Sequence, residues 1–281
     1  MSGLQSYLPS LFNNASGGGL TLLDTLYGIG TAPGGSGNPV QALQSAERNQ
    51  TQDVKITAAK PMVTAAIGAY TAAVNSAKSV TQLLANPAFM NVLLTANGMA
   101  DQIGYTALAT KALTSNLSDP TSLANTLSDT RWKTAAKNYN FASASLASFQ
   151  NPAAIAAMAN LYATVTWQTG QDTVTPGLAN ALAFKTQAST ITSVDQILGN
   201  PTMRSVVTTA LGIPQQIAFQ SLNAQQQAIA TRVDIANFKN PKFVETFIQQ
   251  YLIANAQNAA SSSSSTPSLT ALAIQAGGYL A

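Results

Sequence analysis

The chain has no histidine and no cysteine among its 281 residues. Without histidine it lacks the commonest general acid–base group and the commonest metal ligand. Without cysteine it has no disulfide framework, no thiolate nucleophile and no thiolate-held metal. Charge is scarce as well. Asp, Glu, Lys and Arg make up 8% of the residues, against ~25% in an average soluble domain. The formal net charge of +3 is small for this length, so the basic balance does not point to nucleic acid. No hydrophobic run approaches the ~20 residues that span a bilayer. The first basic side chain is Arg48. A secretory signal peptide needs a basic start before its apolar stretch, so none is expected.

Catalytic and phosphate-binding patterns are missing too. The acidic residues number ten and are scattered. Asp119 and Asp129 share a short segment, and both head predicted helices, where a carboxylate caps free N–H groups. Gly34-Gly35-Ser36-Gly37 lacks the Lys and hydroxyl residue of a phosphate loop, and there is no G-x-S-x-G turn. The closest basic group, Arg131, Lys133 and Lys137, reads as a solvated helix face rather than a phosphate track. No catalytic, cofactor-binding or metal-ligating residue is assigned, no cofactor is expected, and the chain reads as a non-enzyme. A Ser activated by a Lys or carboxylate through folding stays open at this level.

What is present is repetition. Ser79-Val80-Thr81-Gln82-Leu83-Leu84-Ala85-Asn86-Pro87 returns as Ser193-Val194-Asp195-Gln196-Ile197-Leu198-Gly199-Asn200-Pro201. Tyr70 falls opposite Phe184 at the same offset. Thr95-Ala96-Asn97-Gly98-Met99 falls opposite Thr209-Ala210-Leu211-Gly212-Ile213. With a slightly shorter offset, Leu127 to Trp132 resembles Phe238 to Phe243. The period is too long for a solenoid and suits two related helical modules.

Asn or Asp precedes proline at Asn86-Pro87, Asp119-Pro120, Asn151-Pro152, Asn200-Pro201 and Asn240-Pro241. The first residue of such a pair caps a helix and the second suits its first turn. Apolar residues at spacings of three and four follow, as in Phe243, Val244, Phe247, Ile248, Tyr251 and Leu252. Helices are predicted over 57–74, 79–85, 87–97, 101–116, 120–127, 129–139, 152–167, 176–190, 193–199, 201–211, 215–235 and 241–257. No alternating pattern calls for a sheet. The fold class is therefore all-α: two tandem related helical modules with irregular N- and C-terminal tails. Residues 1–50 read as a Gly-rich flexible head carrying Leu4, Tyr7, Leu8, Leu11, Phe12 and then Leu20 to Tyr27 as apolar islands. Residues 51–150 form the first module and 151–258 the second. Residues 259–281 are a Ser-rich linker, Ser261 to Ser265, with an apolar tail of Leu269, Leu272, Ile274, Tyr279 and Leu280. Ala-rich faces bury little area each, so Trp132, Phe141, Trp167, Phe184, Phe243 and Phe247 are expected to anchor the core.

Several of these segments resemble the helical family known as domain of unknown function 1217, found in flagellar gene clusters of alphaproteobacteria. They include Pro61-Met62-Val63, Tyr70, Lys78 to Leu84, Leu117-Ser118-Asp119-Pro120 and Ser122 to Trp132, ending at Tyr139-Asn140-Phe141. In the second half they include Thr209 to Pro214, Arg232-Val233-Asp234 and Phe238 to Pro241. The resemblance spans residues 45–258. It implies an all-helical fold and a link with the bacterial flagellum, and it carries over no catalytic residue. The low charge, Gly-rich head and Ser-rich tail set this chain apart as a specialised relative. The expected function is a non-catalytic structural protein that associates with itself, as a homo-oligomer or filament, through helical modules and apolar tails. The alternative is a monomeric flagellar accessory or export-associated binding protein. Expected partners are other copies and flagellar proteins, with no nucleic acid and no membrane span. The expected location is cytoplasmic or flagellum-associated.

Overall fold

The computed structural model describes residues 38–173 and 175–264, and every regular element among them is helical. The apolar islands of the head and the apolar tail beyond the serines lie outside the described residues.

The described residues open with α1 (Pro39–Ala58) and α2 (Pro61–Ser76), then α3 (Val80–Leu84) and α4 (Pro87–Ala96). A 3-10 turn, Ala100–Gln102, leads to α5 (Thr106–Leu113), α6 (Leu123–Thr126), α7 (Thr130–Tyr139) and α8 (Leu146–Gln150). The 20-residue α9 (Pro152–Gln171) begins the second half. It is followed by α10 (Leu178–Gln187), the turn Ala188–Thr190, α11 (Val194–Leu198) and α12 (Pro201–Ala210). The turn Gln215–Phe219, α13 (Leu222–Ala230), the turn Ile235–Lys239 and α14 (Pro241–Ser264) complete it.

The Asn-Pro rule places five of these starts, those of α1, α4, α9, α12 and α14. The Oδ1 atoms of Asn86 and Asn200 each accept two N–H groups of the first turn. Asn151 and Asn240 accept one each. Asn38-Pro39 obeys the same rule: its Oδ1 accepts the Val40 N–H at 3.0 Å, and α1 follows for 20 residues. Residues 39–50, expected to be irregular, are therefore helical, because the glycines of the head stop before this cap. The serines to Ser264, expected as a flexible linker, continue α14. No proline or glycine interrupts them. Three predicted helices are broken, the first, 57–74, by the turn Ala59-Lys60 that separates α1 from α2. Gly104, at φ 107°, separates a 3-10 turn from α5, and Ser221 caps α13 two residues after the turn Gln215–Phe219. The short α8 was not predicted. Asp119 does not cap a helix. It accepts the Thr121 N–H and hydroxyl in a local turn, and the helix begins only at Leu123.

Two buried clusters hold the fold. In the first, Tyr70, Leu83, Phe89, Leu93, Leu113, Trp132 and Phe141 pack together with Met158 from α9. In the second, Leu43 and Val54 of α1 join Trp167, Phe184, Val207, Phe238 and Phe247. Helix α9 spans both: Met158 enters the first cluster, Ala163 and Trp167 enter the second, and the Tyr162 ring touches each. The expected aromatic anchors are buried, with Phe243 partly so. Rings meet in edge and stacked pairs, such as Phe89 with Phe141 and Phe184 with Phe238, which adds to the area term.

Candidate functional site

Arg131 is the first group to test as a site. It was expected on a solvated face, yet it is 9% exposed. The cap residue Asp129 takes the Arg131 N–H at 3.0 Å and also holds its guanidinium. Asp101 accepts two N–H groups at 2.9 and 2.8 Å, and the Gly98 carbonyl accepts another at 2.5 Å. All five guanidinium donors are thereby used, which draws the side chain inward and leaves none for a ligand. Burial opposes the charge, but the hydrogen bonds that the guanidinium donates to Asp129 and Asp101 outweigh it and raise the Arg131 pKa. Partial burial would raise the Asp101 pKa; the Arg131 hydrogen bonds win and lower it. The cluster ties α7 to the end of α4. Lys133 and Lys137 remain exposed.

Asp119 and Asp129 are not brought together as a catalytic pair, since each serves its own turn. Among the described residues no three acidic side chains are grouped to hold a metal, and no helix is long and apolar enough to cross a membrane. A second ion-pair group joins α1, α10 and α14: Lys185 Nζ reaches Glu245 at 2.6 Å and also contacts Glu47. Burial acts against that charge, and the two carboxylates overcome it, so the Lys185 pKa rises. Both groups serve to join elements of the fold.

The remaining features belong to the surface. Helix α4 ends with Gly98 at φ 67° and α12 with Gly212 at φ 61°. The Met99 N–H reaches back to Leu94 O and the Ile213 N–H to Thr208 O, each at 2.8 Å. These are the same glycine-terminated helix end. The loop that follows carries Gln102-Ile103-Gly104-Tyr105 in one case and Gln216-Ile217-Ala218-Phe219 in the other. Tyr105 is 62% exposed and Phe219 90%. The repeat read from the sequence passes from Gly98-Met99 straight to Leu127–Trp132 and so omits this pair; the Gln-Ile-x-aromatic match that begins three residues after Met99 was the available signal.

Each helix end also borders a depression. Thr95, Gly98 and Asp101 line a cleft of about 180 Å³, whose opposite wall is Gln168 of α9 and Ala179, Asn180 and Ala183 of α10. Thr209 and Gly212 line a wider, open groove of about 750 Å³, bordered by Arg232 and by Thr246 to Gln257 of α14. The groove offers amides, hydroxyls and aliphatic carbon, with one cation at its rim.

No curated protein matches the chain significantly. Among solved structures, protein AGR_C_984 from Agrobacterium tumefaciens superposes with a TM-score of 0.67 at 24% identity, covering 76% of this chain and 91% of that one. That likeness shows a shared helical fold. The model of the family described as Protein of unknown function (DUF1217) matches residues 96–244. This is more than half of the chain, and it runs from the end of α4 into α14. The chain therefore belongs to the DUF1217 family.

Proposed function

We propose that this protein is a non-catalytic structural subunit, built from two tandem related helical modules, that associates with copies of itself. One observation carries the reading: both halves present an aromatic ring to solvent at the same loop position, Tyr105 and Phe219. Exposed single apolar residues are ordinary. An aromatic kept exposed at two matched positions, on a surface with few charges to repel a neighbour, suits repeated contact between subunits. Leu222, 58% exposed, enlarges the second of these patches. Sedimentation velocity across a hundredfold range of concentration tests the reading. The intact chain is expected to shift to larger species, and the Tyr105→Ser/Phe219→Ser chain to shift less. A monomer at every concentration would sink it.

A second reading has its own observation, the open groove beside α14. A monomeric flagellar accessory or export-associated binding protein would use such a groove for one extended partner. Co-purification of a flagellar protein with a monomeric chain, lost on filling the groove with Ala254→Trp, would favour it over self-association.

A further inference from the structure

The two halves meet at the cleft beside Gly98, and the matching place beside Gly212 is open. This asymmetry carries more than the depressions do singly. In the cleft, the end of α4 faces a corner made by the last turns of α9 and the start of α10. The corresponding corner of the first half is made by α1 and α2. Helix α1 matches α9 in its Asn-Pro start, its side-chain cap and its length of 20 residues. At the repeat offset, Ala179 and Ala183 fall on Ala65 and Ala69; with the Asn-Pro starts of α1 and α9 aligned, Thr169 falls on Ile56, next to Lys55. Ala65 and Ala69 are exposed. Ile56 is 55% exposed, and Met62 at the head of α2 is 86% exposed.

The molecule thus has a groove at one place and an apolar corner at another, and the α4 end, counterpart of the groove's α12 wall, already meets the counterpart of the corner inside the chain. We infer that the α1–α2 corner of a second copy enters the groove between α12 and α14, repeating between subunits the junction that joins the halves within one. Such a contact is head-to-tail, so it leaves a free groove and a free corner at the ends of a dimer and can propagate. Groove and corner are both almost uncharged, with Arg232 at the groove rim and Lys55 and Lys60 exposed beside the corner. Apolar and amide contacts rather than ion pairs would carry the interface, so salt should not dissolve it.

This inference rests on the self-association reading, and cysteine cross-linking separates the two. The native chain has no cysteine, so each introduced thiol is unique. Thr95→Cys/Ala183→Cys serves as the internal control, and a short bis-maleimide should link it within one chain. Full-length Thr209→Cys and Ala69→Cys chains are then mixed at a concentration where sedimentation shows association. The mixture should give at least tenfold more covalent dimer than either variant alone, unchanged in 1 M salt. Association without that enrichment would overturn the inference and leave self-association standing. Monomers throughout would remove both. A Thr209→Cys/Leu272→Cys chain that links within itself would place the chain's own C-terminal segment in the groove, and would also overturn the inference.

Discussion

The two halves share their helix caps and differ where they touch. Ser79 and Ser193 cap α3 and α11 with nearly the same backbone angles, and each accepts the N–H three residues on. Gln82 and Gln196 reach back to the N–H groups of Lys78 and Thr192. Yet the next cap residue is Ala85 in one half and Gly199 in the other. Ala85 is exposed. Gly199 lies against the other half: the Thr130 N–H donates to its carbonyl at 2.9 Å, and an added Cβ would meet Thr130 Cγ2 at 2.5 Å. A second divergence stands at Asn140. It ends α7 in the left-handed region at φ 47°. Its counterpart, Tyr251, is buried within α14, which runs on to Ser264. The lesson is that local caps repeat because they depend only on near neighbours. The residues that change are those where one half meets the other or where the path of the chain differs.

The largest expected contrast is between Arg131 and its counterpart Lys242. Arg131→Ala strands Asp129 and the Gly98 carbonyl. Losing one partner of a buried pair costs about 3–5 kcal/mol, but Asp101 is 53% exposed, so about 2–3 kcal/mol is expected after solvent screening. Lys242 is exposed, and Lys242→Ala should fall within about 0.5 kcal/mol of the parent. Equal losses in urea unfolding would break the comparison.

Next comes the Gly199 joint. Gly199→Ala should cost about 1–3 kcal/mol by overpacking, because backbone oxygens of Ser128 and Asp195 crowd the new methyl. The reverse change, Ala85→Gly, touches nothing across halves and should cost at most about 1 kcal/mol. Thermal denaturation of the pair measures the difference.

Tyr70 and Phe184 sharpen the comparison with pH. Burial first, then the nearby Tyr139, pushes the Tyr70 pKa up to about 12. An unfolded tyrosine ionises near 10. The raised folded value means that this contribution is whole below pH 10 and is lost as pH climbs toward 12. The second half has Phe184 in the matching place, 0% exposed. Tyr70→Phe should therefore flatten the alkaline fall in stability by on the order of 1–2 kcal/mol, with little change at pH 7.

Much of this fold could be read from the residues. Asn86, Asn151, Asn200 and Asn240 announced their helices because a cap is a local event, written in two adjacent residues. Asn38 announced α1 by the same rule, and the glycines just before it masked the signal. The buried state of Arg131 was not legible: it depends on Asp101 and Gly98, which lie some thirty positions away. The open groove was equally hidden, since the α12 end that borders it has the same glycine stop as α4. Only the packing of α14, α9 and α10 decides which of the two ends is covered.

The smallest contrast tests the caps themselves. Replacing Asn86 or Asn200 by Ala removes an oxygen that accepts two N–H groups, and each should cost about 1 kcal/mol. Aspartate supplies the same oxygen and adds a charge that favours a helix start. Asn86 is half-buried at the surface of the first half, so Asn86→Asp should be neutral or slightly stabilising. Asn200 is 8% exposed, packed beside the Gly199 joint, and a carboxylate there must shed water. Asn200→Asp should therefore lose stability at pH 7 and recover part of it as the pH falls and the carboxyl is protonated. If both aspartates behave alike, the joint is wetter than its packing implies, and the difference between the halves would come down to the clash at Gly199 alone.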